Sequence, residues 1–295
     1  MDAVQTSQVR SFNRTVTQRI GALDEKFLAR DRPLAQARLL WEIGADGCDV
    51  RLLRARLDLD SGYLSRLLRA LERDGLVTVS SSDADTRVRV ATPTPAGLAE
   101  RAELDRRSDA SVAAILEPLS AGQRDRLAAA MAEVEQLLVA SMVTVGVTDP
   151  RHPDARCCLR AYFAELSRRF EAGFEQAQSL PAADEEFLPP AGVFLMASLH
   201  GEPVGCGAAK LRPGEPALIK WMWVGPSVRG LGLGRRILAA LEQHAIAGGA
   251  TQARLETNSA LSEAISLYRR AGYSEVPAFS DERYAHHWFA KDLSP

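Results

Sequence analysis

The sequence is poor in lysine. Of 36 basic residues in 295, only Lys26, Lys210, Lys220 and Lys291 are lysines, and the other 32 are arginines. A GC-rich genome accounts for such a bias, but no lysine at all falls between residues 27 and 209. Cysteine is scarce too. Cys157 and Cys158 are adjacent, Cys48 and Cys206 stand alone, and no CxxC spacing occurs, which excludes a zinc ribbon and a disulfide framework. His286 and His287 are neighbours, and on a strand they would face opposite ways, so no metal site is expected. No apolar run approaches the ~18 residues of a membrane span. The residues after Met1 are polar, unlike a signal peptide, so a cytoplasmic protein with reduced thiols and no membrane contact is expected. Net charge is also lacking: 36 basic against 38 acidic residues leaves −2, which argues against a generally basic nucleic-acid binder but not against a local basic face.

What is present is an ordinary globular composition, 46% hydrophobic and 25% charged, on a chain long enough for about two domains. Residues 1–140 read mainly as helix with one short strand pair; strand and helix patterns alternate after about residue 142. An extended segment, Met142 to Val147, leads into Asp149–Pro150 and His152–Pro153, where helix is disfavoured. The predicted division is therefore 1–141 and 142–295. No repeat or low-complexity linker appears.

In the first part, Val9, Phe12, Val16, Ile20, Leu23 and Phe27 recur at helical spacing. Leu127, Met131, Val134 and Leu138 make a second stripe near its end. Both helices either pack within the monomer or pair with a second subunit. Between them, Asp49 and Asp60 are placed to cap two short helices in a helix-turn-helix. Leu64, Leu67, Leu68 and Leu71 form the buried face of the second helix, while Ser61, Tyr63, Ser65, Arg66 and Arg69 occupy the other. Six arginines against three acids in residues 51–73 make this region locally basic. That face is either simply solvated or suited to a DNA major groove, where arginines donate to guanine edges and phosphates. Leu76–Val79, a polar tip over Ser80–Asp85 and Arg87–Val90 then read as a hairpin, with Arg87 placed to reach a minor groove. Thr94 and Pro95 open a further helix.

Leu39-Leu-Trp-Glu-Ile43, Asp60-Ser-Gly-Tyr-Leu-Ser-Arg66, Leu71-Glu-Arg-Asp-Gly-Leu-Val77, Asp85-Thr-Arg87 and Thr94-Pro-Ala-Gly97 together resemble the MarR family of winged-helix regulators. The resemblance covers about residues 5–140. It implies a mainly α winged helix-turn-helix, a homodimer built from the terminal helices, a double-stranded DNA operator, an effector pocket in many members, and Asp85 and Arg87 bracing the wing. Cys48 lies outside the first helix, where the peroxide-sensing branch keeps its thiol, and reads as a small buried side chain.

In the second part, an apolar β-rich run, Ala217 to Val224, meets Arg229-Gly-Leu-Gly-Leu-Gly234 and then an amphipathic helix. Free amides at a helix N-terminus, a favourable dipole and nearby Arg229, Arg235 or Arg236 suit a phosphate ligand. The dinucleotide GxGxxG pattern fails at Arg235 and Ile237, and no lysine supplies a GxxxxGK[ST] loop.

The glycine run, together with Ala264-Ile-Ser-Leu-Tyr268-Arg-Arg-Ala-Gly-Tyr273, resembles the GNAT N-acetyltransferase superfamily, from about Met142 to Leu293. The resemblance implies an α/β fold with a mixed, mostly antiparallel sheet, acetyl-CoA as acyl donor without a metal, and a small amine or amino acid as acceptor. It assigns Arg229, Gly230, Leu231, Gly232, Leu233, Gly234 and Arg235 to the pyrophosphate loop, with Trp223 and Val224 along the pantetheine arm. Asn258 would bond to CoA and Tyr268 would serve as general acid to the sulfur. Glu165, Arg169, Tyr284 and His287 flank the expected acceptor entrance. One departure stands out: many relatives carry a glutamate where Leu218 stands, so a base must come from elsewhere, with Glu202 and Glu256 available, or from water. The alternative is a regulator whose acyltransferase fold only senses an acyl-CoA or metabolite; a third reading keeps the enzyme with a relic DNA module. The lysine gap excludes self-acetylation of the recognition helix or wing.

Overall fold

The computed structural model describes residues 2–23, 27–81, 88–171, 173–180 and 182–293. Two compact units emerge, Met1–Ala132 and Glu133–Pro295.

The first unit begins with α1 (Ala3–Arg19), capped by the Asp2 carboxylate. The apolar stripe predicted one helix as far as Phe27, but α1 stops at Arg19. Gly21 then enters the left-handed region at φ +65°, where a glycine has no Cβ penalty and the chain leaves the helix. Phe27 is buried instead in a 3-10 turn and meets Trp41 edge-on at 6.2 Å. Next come α2 (Leu34–Ile43), β1 (Cys48–Asp49), α3 (Val50–Leu57) and α4 (Ser61–Arg73). Asp49 accepts from the Arg51 amide at 2.6 Å and Asp60 from the Tyr63 amide at 2.8 Å, so both expected caps form. Asp58, left-handed at φ +49°, makes the tight turn between α3 and α4. Leu64, Leu67, Leu68 and Leu71 bury the inner face of α4 in a core with α2.

β2 (Val77–Ser81) and β3 (Arg89–Pro93) pair antiparallel, with β1 on the other edge of β3. The returning strand runs to Pro93 rather than ending at Val90, because Ala91, opposite Val79, is fully buried and continues the inward alternation. The wing tip, with Asp85 and Arg87, lies outside the described residues. Thr94 caps α5 (Pro95–Leu116) by accepting from the Gly97 amide at 3.1 Å. α6 (Ala121–Met142) follows, and the division between the units falls within it. Neither α1 nor α6 buries a residue: Val9 is 56% exposed and Met131 56%.

The second unit is a seven-stranded sheet in the order β4-β5-β6-β7-β8-β10-β9. Its strands are β4 (Thr144–Val147), β5 (Gly192–Leu199), β6 (Glu202–Lys210), β7 (Ala217–Val224), β8 (Gln252–Thr257), β9 (Ser274–Val276) and β10 (His287–Asp292). Every pairing is antiparallel except β7 with β8. Three helices accompany it: α7 (Pro153–Arg169), α8 (Leu233–Ala247) and α9 (Ser262–Arg270). Alternate residues of β5 enter different cores, Val193 and Leu195 with α8 but Phe194 with α7, so the two helices cover opposite faces.

Two irregularities open this sheet. β7 and β8 are in register only at Ala217–Ala253 and Leu218–Arg254, and then diverge. On the other side of β7, Cys206 pairs with Trp223 but Ala208 with Lys220, so β7 carries one extra residue in a bulge. Trp221 sits there at φ +57°. Among the described residues, no helix is long and apolar enough to cross a membrane.

Candidate functional site

The divergence of β7 and β8 creates two adjoining cavities. The larger, about 490 Å³, runs along the end of β7, the glycine turn and α9. The smaller, about 100 Å³, lies between β7, β8 and α7. Tyr162, Leu166, Met222, Leu261, Ala264 and Tyr268 line both.

The glycine turn builds one end of the larger cleft. Gly232, at φ +73°, is the N-cap of α8, and a side chain there would be strained whatever the space around it. The first helical hydrogen bond runs from the Arg236 amide to the Gly232 carbonyl at 3.1 Å. The amides of Leu233, Gly234 and Arg235 therefore have no partner within the helix, as at every helix start. Together with the dipole they make an anion site. Gly230, Gly232, Leu233, Gly234 and Arg235 line the cleft, whereas Leu231 turns to the core under α8.

The arginines divide by role. Arg236 donates to the carbonyls of Ala140 and Val143, both at 2.7 Å, and closes the end of α6. Arg229 donates through Nε to the Val224 carbonyl at 3.0 Å and through Nη2 to Glu165 at 2.6 Å. Arg235 is exposed on the cleft and has no carboxylate partner among the described residues. It is the cation best placed for a phosphate.

Glu165 and Arg169 line this larger cleft rather than the smaller cavity. Glu165 accepts from the Trp223 indole at 3.0 Å, from Arg229 and from Arg169 at 3.3 Å. Burial opposes its charge, yet the bond from Trp223 and the Arg229 guanidinium outweigh that and hold the carboxyl below its usual range. Arg169 also holds the Ala260 carbonyl and Glu263, both at 2.7 Å. These contacts tie α7 to β7, the glycine turn and the start of α9. Glu165 and Arg169 thus brace a cleft wall instead of presenting free groups to an acceptor.

Tyr268, 5% exposed, stands where the cavities meet. Burial pushes its phenol above the ordinary tyrosine value, so the hydroxyl stays protonated. Asn258 lines the smaller cavity and not the glycine-turn cleft; its amide donates to the Tyr284 carbonyl at 2.8 Å and its oxygen accepts from the Ala260 amide at 2.9 Å. Tyr284 lines the smaller cavity too, its hydroxyl accepting from the Glu175 amide at 3.1 Å. His287 reaches neither cavity: it faces β9, where Nδ1 lies 2.6 Å from Glu275. Leu218 and Glu202 also line neither, whereas Glu256 faces the smaller cavity, paired with Lys220 at 2.8 Å and bonded to Ser280 at 2.7 Å. Among the described residues no group of three His, Cys, Asp or Glu could hold a metal ion.

Several lining residues were not singled out from the sequence. Trp221 and Met222 are brought to the site by the bulge in β7, for which the strand pattern holds no signal. Glu282 comes from an irregular loop without periodicity. Tyr162 shows only as one apolar position on an amphipathic helix.

In the first unit, Ser61, Arg66 and Arg69 are exposed on α4, with Tyr63 and Ser65 half-buried beside them. The Arg66 guanidinium lies 5.5 Å from the Tyr63 ring centroid.

Residues 159–273 match the acetyltransferase (GNAT) family model, and residues 31–88 match the MarR family model. The chain is 39% identical to an IAA acetyltransferase of Azospirillum brasilense over 87 residues, 29% of this chain and 57% of that protein. It is 30% identical to a mycothiol acetyltransferase of an Arthrobacter species over 159 residues, 52% of this chain and 49% of the relative. The chain thus spans about half the length of the curated relatives it matches. Among solved structures, a GNAT-family acetyltransferase of Staphylococcus aureus is 15% identical with a TM-score of 0.45, covering 51% of this chain and 100% of that one.

Proposed function

The chain joins a MarR-family region to a GNAT-family region, and on that premise we propose a DNA-binding regulator fused to an acetyl-CoA-dependent N-acetyltransferase for a small amine. The labour divides between residues 1–141 and 142–295. The observation that carries the enzyme reading is the gap between β7 and β8, with a glycine anion site at one end and a protonated Tyr268 at the junction of two cavities.

In this reading the pyrophosphate of acetyl-CoA takes the amides of Leu233, Gly234 and Arg235 and the Arg235 guanidinium. The pantetheine arm lies along β7, whose edge from Ile219 to Val224 has no partner in β8. Backbone donors near the bulge polarise the thioester carbonyl. A neutral amine in the smaller cavity attacks the carbonyl carbon, the C–N bond forms and the C–S bond breaks. The leaving sulfur takes the Tyr268 proton, and the nitrogen's surplus proton passes to water and restores the tyrosine. Glu256 is the candidate base that faces the cavity.

Thiol release from acetyl-CoA across a panel of amines tests the enzyme. Binding of CoA with no turnover on any amine would leave the sensor reading, which the missing carboxylate at Leu218 favours.

The first region, in a homodimer formed through α1 and α6, would read a palindromic operator with Ser61, Tyr63, Ser65, Arg66 and Arg69, and with Arg87 from the wing. Arg66→Ala or Arg69→Ala should weaken binding to all duplexes if the residue contacts phosphate, and reduce the slope of log K against log salt by about 1. A salt titration by fluorescence anisotropy measures this; an unchanged slope and unchanged affinity in both variants would remove these arginines from the interface.

A further inference from the structure

The smaller cavity has a chemistry of its own. Its aromatic wall consists of Phe163, Phe170, Phe174 and Tyr284, brought together from α7 and from the segments after α7 and β9. Phe163 and Phe174 stack at 5.7 Å with their planes 7° apart. Phe174 meets Tyr284 at 4.8 Å, and Phe170 meets Tyr284 at 5.8 Å. Flat faces of this kind accept another ring by offset or edge contact and attract a cation through the ring quadrupole. At about 100 Å³ the space is comparable to the apolar cavity of about 150 Å³ that takes up benzene in another protein. One six-membered ring fits this scale, and the lining shared at Tyr268 sets this cavity beside the larger cleft.

The charges are unbalanced. Lys220, Glu256 and Glu282 are the charged residues among those lining the cavity. Lys220 is matched to Glu256 at 2.8 Å. Glu282, 8% exposed, accepts from the Ser179 hydroxyl at 2.7 Å, the Leu180 amide at 2.9 Å and the Tyr284 amide at 3.3 Å. All three donors are neutral, so they fix the carboxylate without cancelling its charge. The cavity therefore holds one carboxylate in excess beside an aromatic wall.

We propose that this cavity selects a primary arylalkylamine with a single ring, entering as its cation, and discriminates against amino acids, whose carboxylate would meet the uncancelled charge of Glu282. For the chemistry after binding, the inference rests on the transferase reading. The ammonium releases its extra proton to water, its nitrogen then forms the C–N bond as the thioester C–S bond breaks and Tyr268 protonates the sulfur, and the second proton lost from the nitrogen returns through water to the tyrosine. Selection itself needs only the cavity.

Isothermal titration of the full chain at pH 7, with and without CoA, tests it. The probes are phenethylamine, phenylalanine, n-butylamine and 3-phenylpropionate. Phenethylamine should bind at least about tenfold more tightly than phenylalanine, from the charge term, and about tenfold more tightly than n-butylamine, from the ring contacts. The Glu282→Gln variant should narrow the gap between phenethylamine and phenylalanine, and Phe174→Leu should narrow the gap between phenethylamine and n-butylamine. Equal or tighter binding of phenylalanine or 3-phenylpropionate by the unaltered protein would overturn the proposal, as would failure of phenethylamine to bind in either condition. Should Glu282→Gln fail to fold, the probe series on the unaltered chain still decides. CoA affinity is measured separately: CoA binding without phenethylamine binding defeats this inference alone, and phenethylamine binding without CoA binding defeats the transferase reading alone.

Discussion

Replacing Tyr268 by Phe should lower kcat by about 10²-fold, with little change in the KM for acetyl-CoA. The ring lies in the core against Tyr273 and Phe289, at 6.1 and 6.0 Å, so Phe preserves the packing and removes only the hydroxyl. The lost proton matters when sulfur leaves, a step of the transition state and not of ground-state binding. A readout specific to this role is leaving-group dependence. An acetyl thioester of a much more acidic thiol needs no proton, so the deficit of the variant should shrink towards unity with such a donor. A deficit of equal size on both donors would mean that the substitution damaged the site in another way. The pH profile gives a second check. Burial raises the Tyr268 pKa, so its proton-donating form persists through the ordinary tyrosine range near pH 10. Wild-type kcat should therefore show no alkaline limb attributable to this residue below about pH 10. A limb near pH 8 that vanishes in the Phe variant would contradict the assignment.

Replacing Gly97 by Ala should destabilise the first unit by about 1–3 kcal/mol, against the direction of helix propensity. In a helix interior Ala is favoured over Gly by about 1 kcal/mol, so propensity alone predicts a gain. A Cβ on Gly97, however, would stand 2.0 Å from the Leu76 carbonyl oxygen. That carbonyl accepts from the Thr94 amide at 2.9 Å, and the Thr94 side chain caps the same helix. Both sides of the clash are backbone, so α5 must move off the strand that follows α4, and cap and core loosen together. Trp41 is the only tryptophan in residues 1–132; the others are Trp221, Trp223 and Trp288. Its fluorescence during urea unfolding should report a transition at lower denaturant in the variant. Acetyl transfer should persist under the conditions where the Trp41 transition has moved. An unchanged or higher midpoint would show that the contact relaxes without cost.

Much of the fold was legible because its signals are local. The Asp49, Asp60 and Thr94 caps, the leucine spacing of α4 and the glycine run before α8 each act within a few residues. The structure keeps them where the pattern puts them. Failures arose where the signal was not local. The first apolar stripe continued past Arg19 although the chain had already turned, because Phe27 is buried by another element and not by its own helix. The expectations for Asn258 and His287 rest on the family resemblance and not on any signal in their neighbouring residues. In the structure Asn258 lines the smaller cavity and tethers the Tyr284 loop, and the His287 side chain leaves β10 towards Glu275.

The shortage of lysine and the gap between residues 27 and 209 belong to the sequence alone, as do the order of the elements and the glycine run that opens α8. These need only composition, periodicity and backbone chemistry. Which charges face the smaller cavity was decided by tertiary structure. Divergence of β7 from β8 opens the cavity, a one-residue bulge turns Trp221 and Met222 into it, and a distant loop delivers Glu282. Each depends on residues far apart in the chain being held side by side, and no spacing along the sequence encodes that distance.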